Sequence, residues 1–405
     1  MPRPTVTRRL AAAFASASLI AACSESPTTS TSASTSDGLA PQDAPAYSAG
    51  VSAQVIPGRF IVTLRDGVSP AAVAREHGVS PDFVYTAALN GFAGSIADAA
   101  RSGLLRDARV SRIEPDGIAT TQATQTGATW GLDRVDQRAL PLSTTFTYTS
   151  TGAGVTAYII DTGIRFAHSE FGGRATSGFD AVDGGGADDC NGHGTHVAGT
   201  VGGGTYGIAK GVSLVAVRVL DCGGSGSWSG VIAGMDWVTA NHAAGTPAVA
   251  NMSLGGGASA SVDDAVRRMI ADGVATGVAA GNGNRGGRQQ DACNSSPARV
   301  AEAMTIGATD KTDTKTSWSN YGPCVDWFAP GLSITSSWYT SNTATSTISG
   351  TSMATPHVVG VASLYLQGNP GASAQTVRDA LYAATTKNVV LRSSTANAHL
   401  LYSNY

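Results

Sequence analysis

Three short motifs, widely separated along the chain, carry side chains suited to nucleophilic catalysis. Asp161 lies in the sequence DTG, His193 in NGHGTH and Ser352 in GTSMATPH. A serine hydroxyl is a poor nucleophile at neutral pH and needs a base within hydrogen-bonding reach. Histidine can accept that proton and return it to a leaving group, and a buried aspartate fixes the imidazole tautomer and stabilises its cation. The motifs therefore predict acyl-transfer chemistry, with Asp161, His193 and Ser352 as the catalytic residues.

A fourth motif, AAGN at positions 279–282, offers electrostatic stabilisation to that chemistry. Asn282 follows an apolar segment and carries a side-chain amide that can donate a hydrogen bond. Ser352 opens an apolar stretch that predicts a helix, so its own N–H would point towards a developing oxyanion, where the helix dipole also helps. We therefore expect Asn282 and the backbone N–H of Ser352 to form an oxyanion hole.

Each motif taken alone has a simpler interpretation. DTG after a strand and asparagine before glycine are both typical of turns, and GTSMATP would also begin an ordinary helix. His193 and His196 could be ligands of a catalytic metal, although His196 is better interpreted as a core histidine. A protein that only bound peptides would lack a member of the triad, and none is missing. The four motifs together, each after a predicted strand or at a predicted helix start, favour catalysis by serine.

The elements that must position these residues predict an α/β fold. From Trp130 onwards, apolar segments alternate with glycine-rich loops and helical segments. Buried strands alternating with helices indicate a parallel sheet with helices on both faces. The active site of such a sheet gathers at the carboxyl ends of its strands. The predicted strands are 155–160, 214–219, 249–252, 274–280 and 303–306, and the predicted helices include 196–201, 230–243 and 262–272.

A smaller α+β domain is predicted before it, within residues 59–116. Strands are expected at 60–64, 83–89, 91–96 and 110–113, and helices at 69–77 and 98–105. Asn90-Gly91 is a strong hairpin signal between the second and third strands. The order β-α-β-β-α-β is ferredoxin-like. A polar linker rich in Thr, Gln and Ala follows at 118–129.

The N-terminus predicts export. Arg3, Arg8 and Arg9 precede a short apolar stretch at 10–22, which is typical of a signal peptide rather than a membrane span. No apolar run reaches the ~20 residues that a span needs. The signal ends IAAC, which resembles a bacterial lipobox and predicts lipidation of Cys23; an ordinary signal with an incidental cysteine is the alternative. A flexible Ser/Thr-rich tether follows, over 23–54.

Composition and cysteine content restrict the partners and the chemistry. The net charge is only −3, so no electrostatic argument favours nucleic acid. Five cysteines are present, and removal of Cys23 leaves four, none of them in a C-x-x-C pair. This spacing argues against structural zinc, while an exported protein favours disulfides. Three pairings of the four remaining cysteines are open.

The four motifs resemble those of subtilisin-like serine proteases, and most closely the proteinase K branch with its bacterial aqualysin-like enzymes. The resemblance extends over about 130–403, including WGLDR at 130–134, residues 166–173 and NMSLGG at 251–256. It implies a subtilisin-like peptidase domain and the pairing Cys190–Cys222 with Cys293–Cys324. Residues 59–116 similarly resemble the propeptide of that family, an intramolecular chaperone and inhibitor.

The resemblance also implies a cleft for polypeptide substrates. One wall of the specificity pocket would be Ser253, Leu254, Gly255 and Gly256, and the other would include Ala280 and Gly281. Residues 223–230 would form an edge that pairs with extended substrate, giving main-chain affinity without sequence choice. We expect broad specificity, with an apolar or aromatic residue before the scissile bond.

Structural calcium is implied at two places. The first set of ligands would be Asp133, Asp136, Gln137, Ser143 and Thr145; the second would be Asp326 with the backbone carbonyls of Ala301 and Ala303. Oxygen-rich loops of this kind suit a hard cation. Asp183 and Asp188 are a weaker third candidate, and solvated loop acids are the alternative interpretation at each place.

These inferences predict a zymogen with four segments. They are a signal peptide at 1–22, the tether at 23–54, an inhibitory prodomain at 55–122 and a peptidase domain at 123–405. Self-cleavage is expected within 120–125, just before Ala123. The mature enzyme is expected to be extracellular and monomeric, with its own prodomain as inhibitor. The precursor would be anchored by lipid at the bacterial membrane.

Overall fold

A computed structural model of the protein describes residues 55–117 and 122–405. They divide into two compact units, one formed by Pro57–Asp116 and the other by Gly117–Tyr405 without the undescribed residues 118–121, together with residues 55–56. The predicted signal peptide, tether and Cys23 lie outside the described residues. Among the described helices, none is both long enough and apolar enough to cross a membrane.

The first unit has the predicted order β-α-β-β-α-β. Its sheet has the strand order β2-β3-β1-β4. The connection between the second and third strands is longer than predicted, because β2 ends at Tyr85 rather than at residue 89. Asn90 lies in this loop, where its side chain donates hydrogen bonds to the carbonyls of Arg65 and Val68. Gly91 leaves room for β1, since a Cβ there would lie 2.1 Å from the carbonyl oxygen of Val62. The elements are β1 (Val55–Leu64), α1 (Pro70–Glu76), β2 (Phe83–Tyr85), β3 (Gly91–Ser95), α2 (Asp98–Leu104) and β4 (Val110–Gly117).

The second unit contains the predicted parallel sheet flanked by helices. Its helices are α3 (Trp130–Val135), α4 (His193–Gly202), α5 (Trp228–Asn241), α6 (Ala260–Ala271), α7 (Thr351–Gly368) and α8 (Ala374–Ala384). Its strands are β5 (Ala123–Thr126), β6 (Thr145–Tyr148), β7 (Thr156–Asp161), β8 (Ala175–Asp180), β9 (Ser213–Arg218), β10 (Ala248–Met252), β11 (Gly256–Gly257), β12 (Ala275–Ala279), β13 (Ser295–Ser296), β14 (Met304–Thr309), β15 (Trp327–Pro330), β16 (Ile334–Ser337) and β17 (Thr345–Ile348).

Seven of these strands form the main sheet, in the order β15-β14-β12-β10-β7-β9-β8. Helices bury both faces of this sheet. Alternate residues of a strand point to opposite sides, so neighbouring residues of one strand pack against different helices. On β7, Ala157 and Ile159 pack with α4, α7 and α8, whereas Tyr158 and Ile160 pack with α5 and α6. This double burial explains why the central strands are continuous apolar runs.

The strand order reverses between β7 and β10. After β7 the chain crosses to the edge strand β8 and returns to β9, whereas after β10 it proceeds the other way through β12 and β14 to β15. Loops at the carboxyl ends of the two strands separate at such a point and leave a crevice. Asp161 ends β7 and Ser253 follows β10, so the fold directs the predicted catalytic motifs to this crevice.

Candidate active site

Asp161 and His193 form a hydrogen-bonded pair at the crevice. Asp161 is fully buried at the end of β7, and His193 is the first residue of α4 with 26% of its side chain exposed. The imidazole Nδ1 lies 2.7 Å from Asp161 Oδ1, which also accepts a hydrogen bond from the N–H of Thr162. A carboxylate on Nδ1 fixes the tautomer, so Nε2 is left free to act as the base.

The electrostatic surroundings of His193 favour its charged form. Burial lowers the pKa of His193, but the charge and hydrogen bond of Asp161, aided by the charge of Asp189, outweigh it and raise the pKa above the ordinary value of 6.5. An imidazole that is stabilised as a cation is a stronger base towards a serine hydroxyl.

Asp189 holds the loop that delivers His193, a role that the sequence analysis missed. This buried carboxylate accepts five hydrogen bonds, from Thr162 Oγ1, the N–H groups of Asn191 and Gly192, and both the N–H and Oγ1 of Thr195. It therefore fastens the first turn of α4 to the end of β7. An aspartate a few residues before a helix start is a recognisable signal for such capping.

Ser352 is the second residue of α7 and is linked reciprocally to the loop after β10. Its hydroxyl donates to the carbonyl oxygen of Ser253 at 3.1 Å, and the Ser253 hydroxyl donates to the carbonyl oxygen of Ser352 at 2.8 Å. Asn251 Nδ2 in turn donates to Ser253 Oγ. Among the described residues, the Ser352 hydroxyl is hydrogen-bonded to Ser253 and not to His193. The Ser352 side chain must therefore rotate before it can transfer a proton to the imidazole.

Two donors converge above Gly350, next to Ser352. Asn282 Oδ1 accepts hydrogen bonds from the N–H and Oγ1 of Thr351, at 2.8 and 2.9 Å, which orients its amide. A Cβ built on Gly350 would lie 3.5 Å from both Asn282 Nδ2 and the backbone nitrogen of Ser352. Glycine at this position therefore leaves a small space within reach of both nitrogen atoms, which is the arrangement an oxyanion hole requires.

A cleft of about 460 Å³ runs from His193 along the crevice. Ser253, Leu254, Gly255 and Gly256 line it as predicted, together with the edge segment Gly224, Ser225 and Gly226. Trp228 and Leu220 add apolar surface. The cleft thus combines exposed main chain on its edge with apolar side chains, which suits an extended peptide.

The residues predicted to form the second wall, Ala280 and Gly281, directly follow β12 and precede Asn282. The side chain of Ala280 is buried in an apolar cluster with Val325 and Phe328. The N–H of Gly281 donates a hydrogen bond to Thr351 Oγ1, next to Ser352. These contacts hold the segment beside α7, and its role as a wall of the cleft stays a prediction.

His196 is a core histidine and not a partner of His193. It is fully buried, and its Nε2 is hydrogen-bonded to the carbonyl oxygen of Ile334 at 3.0 Å. Burial lowers its pKa to about 4, so it is neutral. Within the described residues, no group of three or more His, Cys, Asp or Glu side chains is arranged to hold a metal. The geometry therefore favours a serine mechanism over one in which both histidines bind a metal.

The four described cysteines form the pairs Cys190–Cys222 and Cys293–Cys324, with Cα–Cα distances of 5.0 and 5.3 Å. The first bond joins the loop before His193 to the loop that leads into the cleft edge. Asn191 reinforces the same connection, because its side-chain amide donates to the carbonyl oxygen of Cys222. The disulfide therefore ties the loop that carries His193 to one side of the cleft.

The first loop expected to hold calcium has features that fit a cation. Asp136 Oδ1 is buried without a hydrogen-bond partner in the described chain, and burial together with the charge of Asp133 raises the Asp136 pKa to about 6. Ser143 Oγ lies 2.8 Å from Asp133 Oδ1 and 2.7 Å from Thr145 Oγ1. Gln137 lies in the same loop, and its carbonyl oxygen accepts a hydrogen bond from Arg134. Oxygen atoms this close together suit a hard ion.

The second expected calcium set does not fit. Asp326 Oδ1 accepts a hydrogen bond from Arg378 Nη2, and Asp326 Oδ2 accepts one from the N–H of Thr305. The carbonyl oxygen of Ala303 accepts from Arg378 Nε, and Ala301 lies on an exposed turn beside it. The guanidinium of Arg378 therefore lies where the resemblance predicted a calcium ion.

Comparison with known proteins gives strong matches. The Peptidase S8 (subtilase) family profile matches residues 152–399. An extracellular serine proteinase from Thermus sp. (strain Rt41A) is 54% identical over 374 residues, covering 86% of this chain and 90% of that protein. Alkaline serine exoprotease A from Vibrio alginolyticus is 51% identical over 334 residues, covering 81% and 61% of the two chains. The crystal structure of a cold-adapted subtilisin-like serine proteinase is 53% identical, with a TM-score of 0.66, covering 69% of this chain and 100% of that one.

The site and the matches agree. The family match spans the buried Asp161–His193 pair, Asn282 and Ser352. The identity to the Thermus proteinase extends over most of both chains. The chain therefore belongs to the subtilase family of serine proteinases, which hydrolyse peptide bonds.

Proposed function

We propose that the protein is an exported endopeptidase, made as a self-processing zymogen, that cleaves polypeptides through an acyl-enzyme. The observation that carries this proposal is the 2.7 Å hydrogen bond between His193 and the buried Asp161, in a cleft whose residue Ser253 is hydrogen-bonded reciprocally to Ser352. Acyl transfer by a serine requires a nucleophile, a base, a carboxylate that orients the base, and donors that stabilise the oxyanion.

Proton transfer begins when the Ser352 hydroxyl turns from the carbonyl of Ser253 towards Nε2 of His193. Catalytic hydrogen bonds are often long or absent without substrate and tighten when it binds. His193 removes the hydroxyl proton as Oγ attacks the substrate carbonyl carbon, and it returns that proton to the leaving amine. Water deprotonated by the same imidazole then hydrolyses the acyl-enzyme and regenerates Ser352.

Negative charge on the substrate oxygen would be stabilised by Asn282 Nδ2 and the N–H of Ser352. Thr351 keeps the amide of Asn282 in its orientation through two hydrogen bonds. Donors held in place before the reaction need no reorganisation when the charge develops.

The lining of the cleft supports a broad preference for an apolar or aromatic residue before the scissile bond. Leu254, Leu220 and Trp228 offer apolar contact, while Gly255 and Gly256 add no side chains that would exclude a large residue. The edge segment Gly224–Gly226 would pair with substrate main chain, which gives affinity that is independent of sequence.

Maturation would separate the two units. We propose that residues 55–122 act as chaperone and inhibitor, and that cleavage just before Ala123 leaves β5 as the N-terminal strand. β5 pairs with β6, with Ala123 opposite Tyr148, and this supports a stable new terminus. A lipid on Cys23 would anchor only the precursor, so cleavage would release a monomeric enzyme outside the cell. The extracellular relative from Thermus supports this location.

Subtilases commonly bind calcium, and we propose one structural ion at Asp133, Asp136, Gln137, Ser143 and Thr145. The ion would supply positive charge to carboxylates that are otherwise buried together, and it would stabilise the fold without taking part in catalysis. The unpartnered Oδ1 of Asp136 supports this assignment.

Labelling with a fluorophosphonate tests the proposal directly. The reagent should abolish activity and modify Ser352 alone, as peptide mass spectrometry would detect, while Ser253 beside it serves as the internal control. A chelator should leave activity intact at low temperature but accelerate heat inactivation, since calcium stabilises only the fold. The opposite pattern, with no label and immediate loss of activity on chelation, would favour a metal-dependent hydrolase.

A further inference from the structure

Arg378 on α8 reaches across to the amino-terminal ends of two strands of the main sheet. Its Nη2 lies 2.5 Å from Asp326 Oδ1, and its Nε lies 3.3 Å from the carbonyl oxygen of Ala303. Asp326 immediately precedes β15, and Ala303 immediately precedes β14. We infer that the guanidinium of Arg378 takes the role of a structural cation at this place, so that this part of the fold is stable without metal.

The hydrogen bonds at this place engage three of the oxygens that the resemblance assigns to calcium. Asp326 Oδ1 is bound by Arg378, Asp326 Oδ2 accepts the Thr305 N–H at 2.8 Å, and the Ala303 carbonyl is bound by Arg378 Nε. Calcium takes six to eight oxygen ligands at about 2.3–2.6 Å. A guanidinium supplies one positive charge and several donors in a planar fork, which match a carboxylate and a carbonyl. The guanidinium therefore lies against Asp326 Oδ1 and the Ala303 carbonyl, where a calcium ion would need its own space.

Burial makes this contact more than a surface ion pair. The side chains of Arg378 and Asp326 are 22% and 14% exposed. The neighbouring helix position, Val377, and Leu381 one turn later are buried in the main core and fix α8 against the sheet. The packing of α8 therefore already holds Arg378 in position. Removal of its charge would leave the largely buried carboxylate of Asp326 without a neighbouring positive charge.

The location also separates this inference from the proposed function. Asp326 and Ala303 lie at the amino-terminal ends of their strands, whereas the catalytic residues lie at the carboxyl ends. A change at Arg378 is therefore expected to alter calcium content and thermal stability rather than the chemistry at Ser352.

The test is to count bound calcium and measure thermal unfolding for the full chain, with a protease inhibitor present throughout. We expect Arg378→Ala to melt at least about 5 °C below the parent in chelator. We also expect it to bind one calcium ion more per chain than the parent, in equilibrium dialysis against calcium chloride. The added ion should restore the melting temperature, and the double variant Asp326→Asn/Arg378→Ala should lose that ion again.

Ala383→Ser, an exposed change on the same helix, is the matched control and should behave as the parent. Arg378→Gln, which has a shorter polar side chain without the charge, gives the same calcium count should the alanine variant fail to fold. The inference would be overturned if Asp326→Asn alone removed a calcium ion from the parent. It would also be overturned if neither Arg378 variant gained one.

Discussion

Replacement of Asp161 by Asn is expected to lower kcat about 10⁴-fold while leaving the fold intact. Asn has the same shape as Asp, but it presents an N–H or a neutral oxygen to His193 Nδ1 in place of a charged acceptor. The imidazole then loses the partner that holds its tautomer and stabilises its cation. Because Asp161 is fully buried and lies 2.7 Å from His193, solvent cannot replace what is lost.

The same change should shift the pH dependence of the residual activity. In the parent, Asp161 raises the pKa of His193 above 6.5 against the effect of burial. Only the neutral imidazole is a base, so activity appears as the pH rises through that raised pKa. Without the carboxylate, burial dominates and the acid limb should move to lower pH. The imidazolium–Asp161 pair also stabilises the folded parent below the unfolded pKa, and this contribution disappears as the pH rises through the folded pKa.

The measurement needs mature enzyme, but a variant with little activity is not expected to cleave off its own prodomain. A recognition site for an unrelated protease, introduced at residues 118–121 in parent and variant alike, separates the units independently of activity. Initial rates with a chromogenic peptide from pH 5 to 9 then give kcat and the acid limb. Asp264→Asn, an exposed carboxylate on α6, should match the parent. An Asp161→Asn enzyme within tenfold of the parent, or with an unmoved acid limb, would contradict the assigned role.

Replacement of Gly350 by Ala is expected to lower kcat by about 10²–10³, the cost of losing an oxyanion-hole donor. The backbone of Gly350 is extended, with φ 168°, so alanine can adopt it without strain. The new methyl group would lie 3.5 Å from Asn282 Nδ2 and from the nitrogen of Ser352, in the space where the substrate oxygen must enter. The variant should therefore fold and bind peptide yet stabilise the transition state poorly.

Stability and peptide binding distinguish this effect from misfolding. The melting temperature of Gly350→Ala should stay close to that of the parent, and KM should change far less than kcat. Gly371→Ala, where a Cβ has no atom within 4 Å, is the matched control. Unchanged kcat in Gly350→Ala would mean that the two donors do not bind the oxyanion.

The sequence predicted the main sheet and the catalytic motifs because their signals are local. Central strands such as β10 are buried on both faces and appear as apolar runs, and each motif lies at the end of such a run or at a helix start. The edge strand β8 was missed because its sequence, ATSGFD, is mostly polar and only partly buried. The other edge strand, β15, was missed because four residues are too few to show a pattern.

The parts that could not be predicted depend on distant residues meeting. Arg378 is 52 positions from Asp326, and nothing around either residue indicates that a helix will place a guanidinium there. The direction of Ala280 is decided by packing with Phe328 beyond the end of its strand. The resemblance to a family therefore identified the candidate calcium loops and the cleft. The contacts made by this chain determine which of those residues can hold calcium or line the cleft.

The identity of the nucleophile is the central claim, and Ser352→Ala in the full-length chain tests it most directly. The variant should accumulate as uncleaved precursor, with no new N-terminus at or near Ala123 and no hydrolysis of casein. Its far-ultraviolet circular dichroism should equal that of the parent precursor. Appearance of the processed form in purified Ser352→Ala protein, or casein hydrolysis that persists through purification, would contradict the account.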